Sequence, residues 1–194
     1  MKVEAIKGIL DSNTFIATKG DTVLIVDAGA TLPDVTPDAI ILTHEHFDHI
    51  RHIADYAKEF DCPIYCHPVL IEDLRSKNFS RILGKVAVPG NFDNFIPVTD
   101  ETEFQIGDFT IQPIMATGHS ACSIVFKIDN NLFTGDVLFR AGIGRTDFMP
   151  NGPELMQATL KKLHEVSFDF AYHGHGGKSD FTDQHANIHY YMAN

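Results

Sequence analysis

The segment THEHFDH, residues 43–49, places four potential metal ligands close together: His44, His46, Asp48 and His49. It follows directly on the apolar run DAIIL, which predicts a strand. In an extended chain, side chains two residues apart point to the same side, so the first two ligands can reach one ion. Asp48 and His49 lie at the start of a helical pattern that begins near Ile50, where adjacent side chains diverge, so they can reach a second ion. The segment therefore predicts one ligand pair for one ion and a second pair for its neighbour.

Three more polar residues of the same kind follow later apolar runs. His119 lies in ATGHS, Asp136 in FTGD and His175 in HGHGG, and each has a glycine beside it. Ligand-binding loops of layered sheet proteins gather at the carboxyl ends of strands. We therefore expect these three side chains to join the first four.

The ligand types indicate the class of metal. Five histidines and two aspartates exceed the four ligands of a single tetrahedral ion. Imidazole and carboxylate suit first-row divalent ions, with no thiolate required. The pattern predicts two divalent metal ions, with zinc expected and iron or manganese as alternatives.

The rest of the chain alternates short apolar runs with turn residues. The predicted strands are NTFIAT (13–18), TVLIVDAG (22–29), DAIILT (38–43), PIYC (63–66), FTIQPIMAT (109–117), CSIVFKI (122–128) and NLFTGD (131–136). Helical patterns cover about 50–60, a stretch after Asn151 that includes Met156 and Leu160, and about 182–192. Many strands with few helices predict an α/β (α+β) fold in which sheet packs on sheet and helices lie outside. Pattern alone leaves a doubly wound sheet open.

Composition excludes several classes of protein. The 194 residues suffice for one domain, expected to span residues 1–194, and a 44% apolar share indicates a globular chain. A formal net charge of −11 argues against a nucleic-acid partner. No segment has the length of a membrane span or the form of a signal peptide, so we expect a cytoplasmic protein without membrane contact. Cys62 and Cys66 lie too far apart in an extended run for a disulfide and are expected to be buried thiols.

The segments THEHFDH, TGHS, FTGDVLF and HGHGG, in that order, closely resemble the motifs of the metallo-β-lactamase superfamily. The resemblance covers almost the whole chain and implies a four-layer αββα sandwich. It also implies that the first ion is held by His44, His46 and His119, and the second by Asp48, His49 and His175. Asp136 would bridge the two ions. Asp27, in VDAGA, would position the ligand loop from behind.

The segment VLFRAGIGRTDF, residues 137–148, resembles the small glyoxalase II-like (hydroxyacylglutathione hydrolase-like) branch. His46 stands where oxygen-reducing diiron flavoproteins usually carry glutamate. His49 completes the second site in the hydrolase manner, whereas antibiotic-degrading lactamases usually lack this histidine. The added domains and basic surfaces of RNA-processing branches are missing. The sequence ends nineteen residues after His175, so we expect no C-terminal helical domain of the kind that binds glutathione in full-length glyoxalase II.

The resemblance implies a thioester hydrolase in which Asp48 orients a metal-bridging hydroxide for attack on an acyl carbonyl. The expected partner is a small-molecule thioester, and the sequence makes no prediction of the oligomeric state. A thiolate leaving group, with a thiol pKa near ~8.5, departs without a separate acid. Two alternatives stay open. One is a persulfide dioxygenase with a single iron that uses His44, His119 and Asp136, with His46 in the same site or nearby. The other is a non-catalytic metal-binding module.

A few residues have competing interpretations. His173 could compete with His175 for the second ion, but the family places its ligand between two glycines, which favours His175. Arg140 and Arg145 flank a glycine-rich loop beside Asp136, and both could contact a substrate carboxylate or pair internally with Asp147. Lys178 is a second candidate for substrate contact.

Overall fold

The structure is a computed structural model and describes residues 1–193. One sheet has six strands, and each strand lies beside the next one in sequence. The first three strands pair antiparallel, and the later ones pair parallel. The strands are β1 (Lys2–Lys7), β2 (Asn13–Lys19), β3 (Thr22–Val26), β4 (Ala39–Ile41), β5 (Ile64–Cys66) and β6 (Phe95–Pro97).

A second six-stranded sheet is built from the later part of the chain. Its strands are β7 (Phe104–Ile106), β8 (Phe109–Met115), β9 (Ile124–Ile128), β10 (Asn131–Phe133), β13 (Phe170–Tyr172) and β14 (Ser179–Asp180). They lie in the order β14-β13-β10-β9-β8-β7. Between β10 and β13, the short strands β11 (Leu138–Phe139) and β12 (Gly142–Ile143) pair with each other.

Five α-helices of the described residues cover the outer faces of the two sheets, and a short 3-10 helix (Ile9–Asp11) lies between β1 and β2. Three of the α-helices follow strands of the first sheet, one follows the short strand β12, and one follows β14 of the second sheet. They are α1 (Ile53–Glu59), α2 (Pro68–Ser76), α3 (Phe79–Ile82), α4 (Gly152–His164) and α5 (Phe181–Ala193).

Alternating side chains sort into three apolar layers. In β2, Phe15 points into the layer between the sheets, while its neighbour Ile16 packs in the layer that contains α1. In β9, Phe126 points inward and Val125 packs in the layer that contains α4 and α5. Sheets covered on both faces explain why the strand sequences are continuously apolar. The four-layer αββα sandwich is confirmed, and the doubly wound alternative is wrong.

The predicted helix near Ile50 begins three residues later than expected, at Ile53. The carbonyl group of His49 accepts a hydrogen bond from the backbone of Ala28 at 2.8 Å and is not available to a helix. Residues 47–52 therefore form turns. All seven predicted strands are present, with one to three residues fewer at several ends.

The sequence reasoning missed helix α2. Pro68 occupies its first turn, and the side chain of His67 accepts a hydrogen bond from the backbone N–H of Val69. Both features are signals of a helix start.

Cys62, Cys66 and Cys122 are buried free thiols, which confirms the expectation for the first two. Among residues 1–193, no helix combines the length and the apolar content that crossing a membrane requires.

Candidate metal centre

The seven predicted ligands lie at one edge of the sandwich. His44, at the start of the first ligand loop, follows β4. Strands β8 and β10 both run antiparallel to β9, and β13 runs parallel to β10. The carboxyl ends of β8, β10 and β13 therefore share one edge of the second sheet, and the loops carrying His119, Asp136 and His175 leave from it. Both sheets contribute ligands.

Three imidazole rings form the first group. Ligand atoms of His44, His46 and His119 lie within 4.8 Å of one another, and all three residues are buried. Nδ1 of His46 is 2.9 Å from Nε2 of His119. The ring centroid of His44 lies 4.7 Å from that of His46 and 5.1 Å from that of His119. The group has the size and the donor types of a three-histidine site.

Asp48, His49 and His175 form the second group, with ligand atoms within 4.8 Å of one another. Nε2 of His175 is 3.2 Å from Oδ2 of Asp48 and 3.4 Å from Nε2 of His49.

The carboxylate of Asp136 lies between the two groups. Its Oδ1 is 3.2 Å from Nε2 of His49, and its Oδ2 is 3.4 Å from Nε2 of His175. The same Oδ2 is 3.7 Å from Nε2 of His119, a member of the first group. This position suits the bridging role that the resemblance implied.

Backbone carbonyls orient two of the ligand rings. Nδ1–H of His119 donates to the carbonyl of Arg145 at 3.0 Å. Nδ1–H of His175 donates to the carbonyl of Leu10 at 3.1 Å. A proton held at Nδ1 leaves the lone pair of Nε2 directed into the cluster, which is the common arrangement behind metal-bound histidines.

Asp27 lies behind the first ligand loop and accepts three hydrogen bonds. Its carboxylate takes the backbone N–H of Thr43 at 2.8 Å, the hydroxyl of Thr43 at 2.9 Å and Nδ1–H of His49 at 2.8 Å. Since the hydroxyl proton of Thr43 goes to Asp27, its oxygen accepts from Nδ1 of His44 at 3.0 Å. Asp27 thus orients the ring of His49 directly and that of His44 through Thr43.

The electrostatics differ between the two groups. Burial lowers the pKa of His44, His46 and His119, that of His46 to about 3, so these rings are neutral imidazoles. Asp136 and Asp48 raise the pKa of His175 to about 9 against the effect of burial. Near the carboxylates, the site thus favours positive charge.

Opposite charges also shift the pKa of His49 and of Asp136, each toward its charged form. Burial opposes the charge of His49, but the nearby carboxylates of Asp136 and Asp27 outweigh it and raise its pKa. Burial likewise opposes the charge of Asp136, yet His175 and His49 hold its pKa below the usual range.

Two buried atoms support a fit to metal ions. Nε2 of His44 and Oδ1 of Asp136 are buried without a hydrogen-bond partner. A buried polar atom left unpaired is costly, and both atoms face other ligand groups. A divalent cation would satisfy both atoms, so the donor set fits the ions that the sequence predicts.

A cavity of about 300 Å³ opens onto the cluster. Apolar side chains form much of its wall: Leu10, Phe47, Leu83, Phe139 and Phe148. The polar part of the lining consists of Arg145 and five of the predicted ligands: His46, Asp48, His119, Asp136 and His175.

The remaining candidates take different positions. Arg145 lines the cavity but is exposed, and its guanidinium makes two hydrogen bonds to Asp147 at 3.0 and 2.7 Å. Arg140 is exposed. The ammonium of Lys178 lies 4.0 Å from the ring centroid of Phe170, and this lysine is not among the described residues that line the cavity.

His173, the competitor of His175, is fully buried and has partners for both ring nitrogens. Nδ1 lies 3.0 Å from the hydroxyl of Thr134, and Nε2 lies 2.9 Å from the hydroxyl of Ser179. The structure therefore places His175, and not His173, in the cluster.

Sequence reasoning missed Glu45 and Leu10. Glu45 is buried within THEHFDH and contacts the loop that carries His119. Its position between two predicted ligands was a signal of a role in the site. Leu10 contributes its carbonyl to His175, a backbone contact that has no signature in the sequence.

The chain is similar to known proteins in sequence and in fold. The sequence profile of the metallo-β-lactamase superfamily matches residues 8–175. The probable metallo-hydrolase YqgX of Bacillus subtilis is 30% identical, over 93% of this chain and 92% of the relative. The crystal structure of the B3 metallo-β-lactamase BLEG-1 superposes with a TM-score of 0.83 at 26% identity, over 100% of both chains.

A third protein, TTHA1623, crystallised in a di-iron-bound form, has a TM-score of 0.79 at 24% identity, over 95% of this chain and 98% of its own. Because the profile matches most of the sequence, from the loop before β2 to His175, the chain belongs to the metallo-β-lactamase superfamily.

Proposed function

We propose that the chain is a two-metal hydrolase that cleaves acyl thioesters. The observation that carries the proposal is the carboxylate of Asp136, which lies within 3.7 Å of ligand nitrogens from both groups. One carboxylate between two complete sets of donors is the arrangement expected for a pair of ions that share a ligand.

The walls of the cavity favour a substrate with a good leaving group. Apart from the predicted ligands, Arg145 is the only polar residue of the described lining, and it is engaged with Asp147. The lining therefore offers no separate side chain to protonate a departing amine. A thiolate departs without such help because the pKa of its thiol is only about 8.5.

The chain's own residues supply orientation and exclude water. When bound, the ions would lower the pKa of a water molecule and polarise a carbonyl group. Asp48 lines the cavity and is held by His175 at 3.2 Å, so its carboxylate can orient a nucleophile and accept a proton. Phe47 and Phe148 form apolar walls that limit the access of bulk water.

Zinc is the proposed metal, since neutral imidazoles and carboxylates suit it. Iron is the alternative, because TTHA1623 was crystallised in a di-iron-bound form.

The test is a steady-state comparison on protein loaded separately with zinc and with iron. We expect turnover of S-acyl-glutathione or a simpler acyl thioester, with a high KM for the glutathione substrate and an appreciable kcat. No thioester turnover by either form would refute the proposal. Oxygen consumption by the iron form with glutathione persulfide would replace it with the dioxygenase alternative.

β-Lactam hydrolysis is the second candidate function. BLEG-1 is named a B3 metallo-β-lactamase, and its structure matches this chain over its whole length. Assays with a chromogenic β-lactam on the same preparations separate the two candidates. We expect the thioester to give the higher kcat/KM, and the reverse order would favour the lactamase.

A further inference from the structure

The side chain of Glu45 links two of the metal-binding loops. Its Oε2 accepts a hydrogen bond from the hydroxyl of Ser120 at 2.6 Å and a second from the thiol of Cys122 at 2.7 Å. Glu45 lies between His44 and His46 in sequence, and Ser120 directly follows His119. One carboxylate oxygen therefore joins the two chain segments that supply the first group of ligands.

The loop that carries His119 is a turn between β8 and β9. Backbone N–H of Ala116 donates to the carbonyl of Ser123 at 2.9 Å and closes the turn at its base. Within the turn, the hydroxyl of Ser120 lies 2.9 Å from that of Ser123. Glu45 lies in the loop that follows β4 of the first sheet, and its side chain contacts this turn of the second sheet. It therefore connects the two loops that carry the first group of ligands.

The link is buried, which makes it sensitive to substitution. Glu45 is 1% exposed and Ser120 is 3% exposed. A buried carboxyl group is unfavourable unless its hydrogen bonds are made, and removing one partner leaves the other unpaired. Loss of the link would leave buried polar groups without partners and would remove a contact that holds the loop in place.

We infer that Glu45 is a positioning residue that holds His119 at the correct distance from His44 and His46 to bind the first ion. This inference rests on the proposed two-metal centre and adds a residue that does not itself contact the ions. Loss of residues behind metal ligands typically lowers metal affinity by about 10–100-fold. The effect should be confined to the first ion, because the rings of His49 and His175 are held by Asp27 and by the carbonyl of Leu10.

Cobalt titration in two backgrounds tests the inference. His175→Ala weakens the second site and leaves the first ion to be measured, while His119→Ala does the reverse. Glu45→Ala should lower cobalt affinity by about 10–100-fold in the first background and by less than about threefold in the second. The visible spectrum of cobalt should also change in the first background only. Unfolding of the metal-free variants monitors the integrity of the fold.

Glu45→Gln is the matched control. Both hydrogen bonds end on the same oxygen, so a glutamine carbonyl can accept both, and this variant should keep affinity near that of the parent. Ser120→Ala removes one bond with little change in volume and should give an intermediate loss. It also serves if Glu45→Ala does not fold.

Three results would overturn the inference: equal losses in both backgrounds, no loss with Glu45→Ala or Ser120→Ala, or a loss with Glu45→Gln as large as with Glu45→Ala. If the unmutated chain binds a single ion, the two-metal proposal is wrong. The Glu45 variants can still be compared for that ion, so the two failures are distinguishable.

Discussion

Gly174 offers a direct test of how tightly the metal centre is packed. An alanine methyl group at this position would lie 2.2 Å from Oδ1 of Asp136 and 2.7 Å from Cε1 of His49. Ordinary van der Waals contact begins near 3.4 Å, so one of these groups must move by more than 1 Å. The backbone at 174 cannot recede easily, because its N–H donates to Gly135 at 2.8 Å and its carbonyl accepts from Asn13 at 2.7 Å.

The displacement falls on Asp136, the carboxylate between the two groups. A misplacement of about 1 Å in an active site can cost about 100-fold in rate. We therefore expect Gly174→Ala to lower kcat/KM on a thioester by about 100-fold and to reduce the metal content. Overpacking of this kind also costs about 1–3 kcal/mol of stability. Steady-state kinetics, elemental analysis and thermal unfolding measure the three effects.

Gly177→Ala is the control in the same loop. No heavy atom lies within 4 Å of a methyl group built at this position. This variant should keep the metal content and kcat/KM of the parent within about twofold, as surface substitutions usually have small effects. If Gly174→Ala retained full metal content and activity, the close packing around Asp136 would not matter for function.

Four further predictions follow from the same geometry. Reconstituted protein should bind two first-row divalent ions per chain by elemental analysis, and a stoichiometry that stays at one would contradict this. Asp136→Ala should lower kcat/KM more than His175→Ala, because the first residue contacts both groups; equal losses would argue against a bridge. In metal-free protein the pKa of His175 is about 9, above its ordinary 6.5. The charge of His175 should therefore stabilise the fold fully below pH 6.5, and this contribution should be lost as the pH rises through about 9, measured by unfolding in chelator. His173→Ala should lower the Tm but leave the metal content unchanged, and loss of an ion would make His173 a ligand.

The sequence predicted seven of the fourteen strands in residues 1–193, because apolar layers cover both faces of these strands. TVLIV and AIIL are continuously apolar, and in the structure their side chains alternate between two apolar layers. Strands such as β11, β12 and β14 have only two residues, too few to show a periodic pattern. The sequence β1, KVEAIK, has mostly exposed side chains and so lacks the apolar run that marked the others.

The candidate site was predictable to the extent that its residues follow strands. Spacing and position brought His119, Asp136 and His175 into one set before any contact was known. The contacts behind the ligands were not predictable in the same way. Glu45 and Cys122 are 77 residues apart, and the carbonyl that orients His175 belongs to a residue 165 positions away. Such contacts depend on how the two sheets dock.

The placement of the ligands on both sheets has a consequence for the lifetime of the folded chain. An ion held by His44 and Asp136 would join the loop that follows β4 of the first sheet to the loop that follows β10 of the second. It would act as a reversible cross-link between the two sheets. Ligands that bind only the folded state add about 1.4 kcal/mol to the free energy of unfolding for each tenfold excess over Kd. The sheets could then separate only after the ions had left. The rate of ion release would limit the rate of unfolding, and the supply of metal would govern how long each molecule survives exposure to proteases.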